Sequence, residues 1–207
     1  MTMSRALRWW SLLFFVAAAV IVGSFYLDAD AQRWIAQNQN ESLRNFMRAV
    51  SRFGDWPEHV GLGIILLGVA YFRRNKKWMR IFAAMILACA LAGAAARVIK
   101  ISTGRARPSV QTEAGWNGPR VSARYNAFPS GHTAASTAFF ATLALASWRI
   151  GLGLLAVPLL IAFSRMYVAA HYLSDVVCAS LIGVLAAYFV ARWILRPIAN
   201  RKSQMDN

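Results

Sequence analysis

Cysteine, histidine and acidic side chains are scarce in this chain. Its 207 residues include two cysteines, three histidines and eight aspartates and glutamates. Cys89 and Cys178 lie inside apolar segments without metal-ligand spacing, which argues against a disulfide or a thiolate metal centre and for small core residues. With 23 lysines and arginines against those few carboxylates, the formal net charge is +15. That excess does not read as nucleic-acid binding. The basic residues are spread between apolar runs, and no nucleic-acid-binding motif is visible. A membrane surface of anionic lipid and an anionic substrate account for it better. No internal repeat or low-complexity tract is present.

What the chain has in quantity is apolar sequence, 58% of its residues. Trp9 to Leu27 runs without a charge, close to the ~20 residues that cross a bilayer as helix. A signal peptide is the rival reading of this segment. The run is long, however, ends in Phe25-Tyr26-Leu27, and lacks a convincing small-x-small cleavage site. Apolar runs at about 9–27, 57–73, 78–99, 132–148, 151–168 and 172–194 give six candidate spans. The second and fifth are short or broken, the fifth by Pro158, which membrane helices tolerate when neighbours satisfy the freed backbone. The third is rich in alanine and glycine from Ala88 to Ala96, allowing close helix approach in the interior of a bundle. The expected fold is therefore all-α: one polytopic membrane domain over residues 1–207, a bundle of six transmembrane helices.

If six spans alternate, Arg5 and Arg8, the stretch Arg73-Arg74-Asn75-Lys76-Lys77, Arg149, and Arg196, Arg201 and Lys202 share one side. By the positive-inside rule that side is the cytoplasm, and segments 28–58 and 100–131 face outward. In the first of these, Leu43, Phe46, Met47, Val50 and Phe53 share one helical face, opposite Arg44, Arg48 and Arg52. This pattern fits a helix lying in the membrane interface, or equally one packed on the bundle.

Three short clusters carry the chemistry. Lys100 is followed by Arg107-Pro108, then come Pro129-Ser130-Gly131-His132, then Ser164-Arg165 with His171 and Asp175 behind them. Under the six-span topology all three fall on the outer face. Lys100 and Arg107 supply positive charge, whereas Arg105 reads as offset and solvated. Ser130 suits a helix N-cap, and the free N–H groups of a helix start form an anion site. His132 in the first turn suits proton donation to a leaving oxygen, although a lone histidine there is also a common structural residue. Arg165 offers a guanidinium for bidentate phosphate contact. Asp175, at i+4 from His171, can accept the imidazole N–H and leave the other nitrogen free for attack; the same spacing also serves as a plain stabilising hydrogen bond. Together, cations, a Ser-Gly turn, two imidazoles and a carboxylate suffice to break a phosphate ester without metal.

These clusters resemble the three-part signature of the phosphatidic acid phosphatase type 2 superfamily, with Lys100-x6-Arg107-Pro108, Pro129-Ser130-Gly131-His132 and Ser164-Arg165-x5-His171-x3-Asp175 matching at every motif position. The resemblance implies a six-helix membrane phosphatase acting on lipid phosphates without a metal ion or other cofactor, its partners being its substrate and membrane lipids. It further implies that His171 is the nucleophile, forming a phosphohistidine, with Asp175 orienting it. His132 would protonate the departing oxygen, and Lys100, Arg107, Ser130, Gly131 and Arg165 would hold the phosphoryl oxygens. Family members act on lipids such as undecaprenyl pyrophosphate, phosphatidylglycerol phosphate, phosphatidic acid and lipid A phosphate, and the motifs read only phosphate. A bacterial inner membrane with an external site is the expected location. A lipid phosphotransferase would use the same residues. The superfamily's vanadate-dependent haloperoxidases are disfavoured by the spans, and a transporter by the nearly all-apolar first and fourth spans.

Overall fold

The computed structural model describes residues 5–110 and 115–195. Arg196, Arg201 and Lys202, used in the orientation argument, lie outside the described residues, as do both ends of the single-domain expectation. The described chain is helical in the order α1 (Arg5–Tyr26), α2 (Asp28–Gln37), α3 (Glu41–Phe53), α4 (Trp56–Phe72), α5 (Lys76–Thr103), α6 (Gly131–Ala146), α7 (Trp148–Leu154), α8 (Ala156–Tyr167) and α9 (Leu173–Ile194). Among the described residues, β-structure is limited to one bridge, Arg105 to Trp116.

Side chains at the boundaries start many of these helices. Asn40 accepts from the Leu43 N–H at 2.8 Å, Asp55 from Trp56 at 2.9 Å and Asn75 from Trp78 at 3.2 Å, each satisfying a donor the helix leaves open. Gly104 ends α5 in the left-handed conformation, φ 57°, and a Cβ there would lie 1.8 Å from the Gly118 carbonyl oxygen. Only glycine permits both the turn and that approach. The fifth expected span is two helices, α7 and α8, that meet at Leu155. Pro158 interrupts the span as expected, its ring crowding the carbonyl four residues back at Leu154, where α7 ends. It sits in the first turn of α8, where its missing N–H leaves no bond unmade.

The long α5 rises about 42 Å, enough to cross a bilayer and to carry Lys100 within its last turn. By length and apolar composition, Arg8–Tyr26, Lys76–Thr103, Trp148–Tyr167 and Leu173–Ile194 can each cross a membrane. The helices α4 and α6 have 17 and 16 residues and rise about 25 Å, short of the ~30 Å hydrocarbon core. Their surroundings differ. Ile64, Ile65 and Val69 of α4 are exposed, whereas residues 133–143 of α6 are all buried.

At the centre, α6 packs on α5 and α9 through alanines. Ala84, Ala88, Ala92 and Ala96 of α5 meet Ala134 and Ala138 of α6 and Ala179 of α9. Gly183 of α9 presses on α6 so closely that a Cβ would sit 2.7 Å from the Ala134 carbonyl oxygen. Beside this seam, Ile81, Met85 and Cys89 pack on Ala135, Phe139, Phe140 and Leu143. Both cysteines are free thiols. By contrast, α1 leaves Trp9, Phe14, Phe15 and Val20 exposed. Apolar surface on this scale needs lipid rather than water around it, and the protein is an integral membrane protein.

The amphipathic α3 packs on α8. Leu43 and Met47 join Ile35 of α2 and Tyr167 of α8 in a small cluster. The Tyr167 hydroxyl donates to the Asn38 carbonyl and accepts from the Asn40 N–H, both at 3.1 Å. The apolar face expected from the sequence is thus divided, since Phe46 and Phe53 remain exposed.

Candidate active site

The three clusters meet at one end of the bundle. Lys100 occupies the last turn of α5, and the chain then folds back on itself before α6. Within that connection Arg107 N–H donates to the Arg124 carbonyl at 3.0 Å, Arg120 N–H to Ile101 at 2.9 Å and Ala127 N–H to Arg105 at 3.0 Å. Arg120 also lies over the Tyr125 ring, 5.3 Å from its centre. These bonds bring Arg107 back beside the start of α6.

Ser130 is the N-cap of α6 and fully buried. Its Oγ accepts from the Thr133 N–H at 3.4 Å and from the Thr133 hydroxyl at 3.0 Å. Gly131 opens the helix, and a Cβ there would come within 3.8 Å of Lys100 Nζ. The missing side chain leaves the ammonium and the helix start facing one another. His132 follows, its Nδ1 3.7 Å from Asp55 Oδ1 at the start of α4. Arg165, Asp55, His171 and Lys100 are all within electrostatic reach of this ring.

Arg165 stands in the last turn of α8 and donates through Nη1 to Ser51 Oγ on α3. Its Nε is buried without a hydrogen-bond partner, and so is Nε of Arg107. Buried donors left open are costly, about 1–3 kcal/mol each, unless a ligand or water completes them. Two guanidiniums thus keep open donors near a helix start, the chemistry that an anion would need.

His171 lies between α8 and α9 and is 1% exposed. Its Nδ1 is 2.6 Å from the Ala127 carbonyl oxygen. A carbonyl can only accept, so Nδ1 carries the proton and Nε2 keeps its lone pair. The bond expected from the i+4 spacing goes elsewhere: Asp175 Oδ2 is 3.6 Å from Nδ1, near enough for charge but outside hydrogen-bonding distance. Asp175 instead accepts from Arg105 Nη1 at 2.5 Å and from the Tyr172 N–H at 2.7 Å. Its own carbonyl accepts from the Ser130 N–H at 3.2 Å, tying α9 to the turn before α6. Burial, then the positive charges of Lys100, Arg165 and Arg107, hold the His171 imidazole well below its ordinary range, against the opposing pull of the Ala127 carbonyl. His171 is neutral at neutral pH.

Ser164 has a structural task, donating to the Ile161 carbonyl at 2.7 Å. Among the described residues, no three His, Cys, Asp or Glu side chains group as metal ligands.

A sequence model of the PAP2 superfamily matches residues 60–198, about two thirds of the chain and all three clusters. The chain belongs to the PAP2 superfamily. Curated relatives are a lipid A 1-phosphatase from Rhizobium etli, 28% identical over 193 residues covering 86% of this chain and 81% of the relative, and a lipid A 1-phosphatase from Rhizobium johnstonii, 28% identical over 196 residues covering 86% and 77%. The crystal structure of the first transmembrane PAP2 type phosphatidylglycerolphosphate phosphatase from Bacillus subtilis superposes with a TM-score of 0.66 at 19% identity, covering 88% of this chain and 92% of that one. The crystal structure of LpxE from Aquifex aeolicus superposes with a TM-score of 0.59 at 22% identity, covering 80% and 95%. These likenesses fix the fold.

Every PAP2 residue expected from the sequence thus lies in or against one site: Lys100, Arg107, Ser130, Gly131, His132, Arg165, His171 and Asp175. Sequence reasoning missed Arg105, which is 8% exposed rather than solvated. It also missed Asp28, Ser51, Asp55 and the Ala127 carbonyl. Asp28 accepts from Arg105 and from the Ser174 N–H, 77 and 146 residues away in sequence, and no local spacing announces such a pairing.

Along α5 the site continues into a cavity of about 560 Å³, lined by Lys100, Gly131 and His132 at its polar end and by Gly93, Ala90 and Cys89 deeper in. From Lys100 to Cys89 is about 16 Å of helix. The cavity is polar where the cations are and apolar beyond.

Proposed function

We propose that this PAP2 protein is a phosphatase that removes a terminal phosphate from a membrane lipid through a phosphohistidine on His171. The observation that carries the reading is the neutral, fully buried His171, its Nδ1–H fixed on Ala127 and its Nε2 free, beside three cations. In the first step Nε2 attacks phosphorus, the bond from phosphorus to the lipid oxygen breaks, and His132 gives its proton to that oxygen. In the second step water attacks the phosphohistidine, His132 takes the water proton, the N–P bond breaks and inorganic phosphate leaves. Lys100, Arg107, Arg165 and the Gly131 N–H hold the phosphoryl oxygens and offset their charge in both steps, with Ser130 capping the helix start that presents this N–H. Asp175, 3.6 Å from the ring, stabilises the positive charge that His171 gains on attack.

The remaining topology joins this reading. In this reading α4 and α6 also cross the membrane, giving six spans, and Arg73, Arg74, Lys76, Lys77 and Arg149 lie at the end opposite the active site. That end is cytoplasmic, and the site opens on the external face of a bacterial inner membrane. The amphipathic α3 lies at that interface with Phe46 and Phe53 toward lipid. The headgroup phosphate sits among the cations, and the tail follows the cavity along α5.

Lipid A bearing a 1-phosphate is the first substrate to test, on the strength of the two Rhizobium relatives. The experiment is phosphate release by purified protein from a panel of that lipid, phosphatidylglycerol phosphate, phosphatidic acid and undecaprenyl pyrophosphate. Release is expected from wild type and absent from folded His171→Ala. Full activity in His171→Ala contradicts the assignment. Release only when a second lipid acceptor is supplied identifies a phosphotransferase instead.

A further inference from the structure

We propose that Arg105, held by Asp28, is a positioning residue that sets the nucleophile in place through the Ala127 carbonyl bonded to its ring and the Asp175 carboxylate beside it. The proposal rests on the phosphohistidine reading above. Arg105 belongs to none of the motif positions, yet it is the most thoroughly bound guanidinium near the site. Nη1 donates to Asp175 Oδ1 at 2.5 Å and to Ser174 Oγ at 2.7 Å, and Nη2 donates to Asp28 Oδ2 at 2.7 Å. The rings of Phe25, Trp116 and Tyr172 surround it, with centroids 5.5, 5.0 and 4.2 Å from its central carbon. A planar guanidinium fixed on so many sides has one orientation, and the carboxylate on Nη1 shares it.

Two routes lead from Arg105 to the imidazole. Through its side chain it fixes Asp175, whose other oxygen is 3.6 Å from His171 Nδ1. Through its backbone carbonyl it accepts from the Ala127 N–H at 3.0 Å, and the Ala127 carbonyl in turn receives His171 Nδ1–H at 2.6 Å. One residue thus stands behind both the hydrogen-bond acceptor and the charge partner of the nucleophile.

Charge explains why two carboxylates share one guanidinium. Asp28, Arg105 and Asp175 together carry one net negative charge, which matches the single positive charge that His171 acquires on attack. A plain tether between the start of α2 and α9 is already supplied by Asp28, which accepts from the Ser174 N–H at 2.8 Å and the Ser174 hydroxyl at 2.6 Å. The bond to Asp175 adds nothing that tether needs. What it fixes is the carboxylate beside the imidazole.

The test compares R105Q, R105K and D28N with wild type on the panel lipid that wild type hydrolyses fastest, alongside thermal unfolding and gel filtration in detergent. R105Q and D28N are expected to fold and to lose kcat by roughly 10- to 100-fold, as loss of an orienting partner typically does, with KM within about threefold. R105K keeps the charge without the fork and is expected between them and wild type. A folded R105Q with kcat within about twofold of wild type overturns the proposal, and so does a loss expressed in KM alone. If R105Q does not fold, D28N decides on the same two criteria, because asparagine can still accept the Ser174 N–H while removing the charge. Wild-type protein that releases no phosphate from any panel lipid removes the phosphatase reading itself, a result distinct from normal wild-type turnover with unaffected variants.

Discussion

At the scale of single residues, the fold itself sets the ionisation of His171. Its imidazole lies well below the ordinary value of 6.5, so the folded protein takes up its proton only at much lower pH than the unfolded chain. As pH falls below about 6.5, the unfolded state binds a proton that the folded state refuses, and stability declines; above that value the group contributes no pH dependence. Thermal unfolding followed from pH ~8 to ~5 should therefore show a loss in wild type that is smaller in His171→Gln. The same displacement keeps the proposed nucleophile neutral in mild acid. The acidic limb of kcat/KM is expected well below 6.5, and a limb at or above 6.5 contradicts the assignment. Arg165 gives a second residue-level expectation. With Nε open and Nη1 on Ser51, its planar fork is what a lysine cannot reproduce. R165K should lower kcat by about 100- to 1,000-fold, the usual effect of removing one donor to a developing charge, as read from steady-state phosphate release. The motif residues were legible in the sequence because each cluster is local and the three occur in fixed order. Arg105 was not legible, since the same cation reads as solvated until its partners on α2 and α9 are known. The acceptor for His171 was hidden for another reason: it is a backbone carbonyl, and every residue has one.

At the scale of helices, the decisive contact is the close approach of α9 to α6. A Cβ on Gly183 would meet the Ala134 carbonyl oxygen at 2.7 Å and the Thr137 Cβ at 2.7 Å, and backbone cannot yield as a flexible side chain does. Gly183→Val should therefore destabilise the protein by about 1–3 kcal/mol, seen as a lower Tm in detergent. Activity should fall with it, because α9 carries Asp175 and α6 carries Ser130 and His132. The apolar runs behind α1, α5 and α9 were plain in the sequence, and so was the alanine-rich seam of α5. Two element-level features were not. The fifth span was marked as broken by Pro158, but the position of the break at Leu155, three residues ahead of the ring, was not marked. The short α6 reads as an ordinary apolar run, although its small and hydroxylated side chains, Thr133, Ser136, Thr137 and Thr142, are all buried among other helices rather than facing lipid.

For the molecule as a whole, the cavity along α5 links a cationic end to an apolar interior, and that gradient matches a lipid phosphate lying along the helix. Gly93 lines it, and a Cβ at that position would have nothing within 4 Å. Gly93→Leu should therefore fold normally and fill the space. KM for a long-chain lipid phosphate is expected to rise about tenfold or more, from loss of several buried methylene contacts, while turnover of a short water-soluble phosphate ester stays unchanged. Equal effects on both substrates would argue that the tail lies elsewhere. The hydrogen bond from Arg165 to Ser51 reaches in the other direction, toward the surface. Since α3 also displays Phe46 and Phe53 outward, that bond would hook a helix steeped in lipid, on the function proposed above, directly to the guanidinium assigned to grip the reacting group. Stripping away the bilayer should then slacken that grip, and the protein should work faster reconstituted in vesicles than dispersed in micelles.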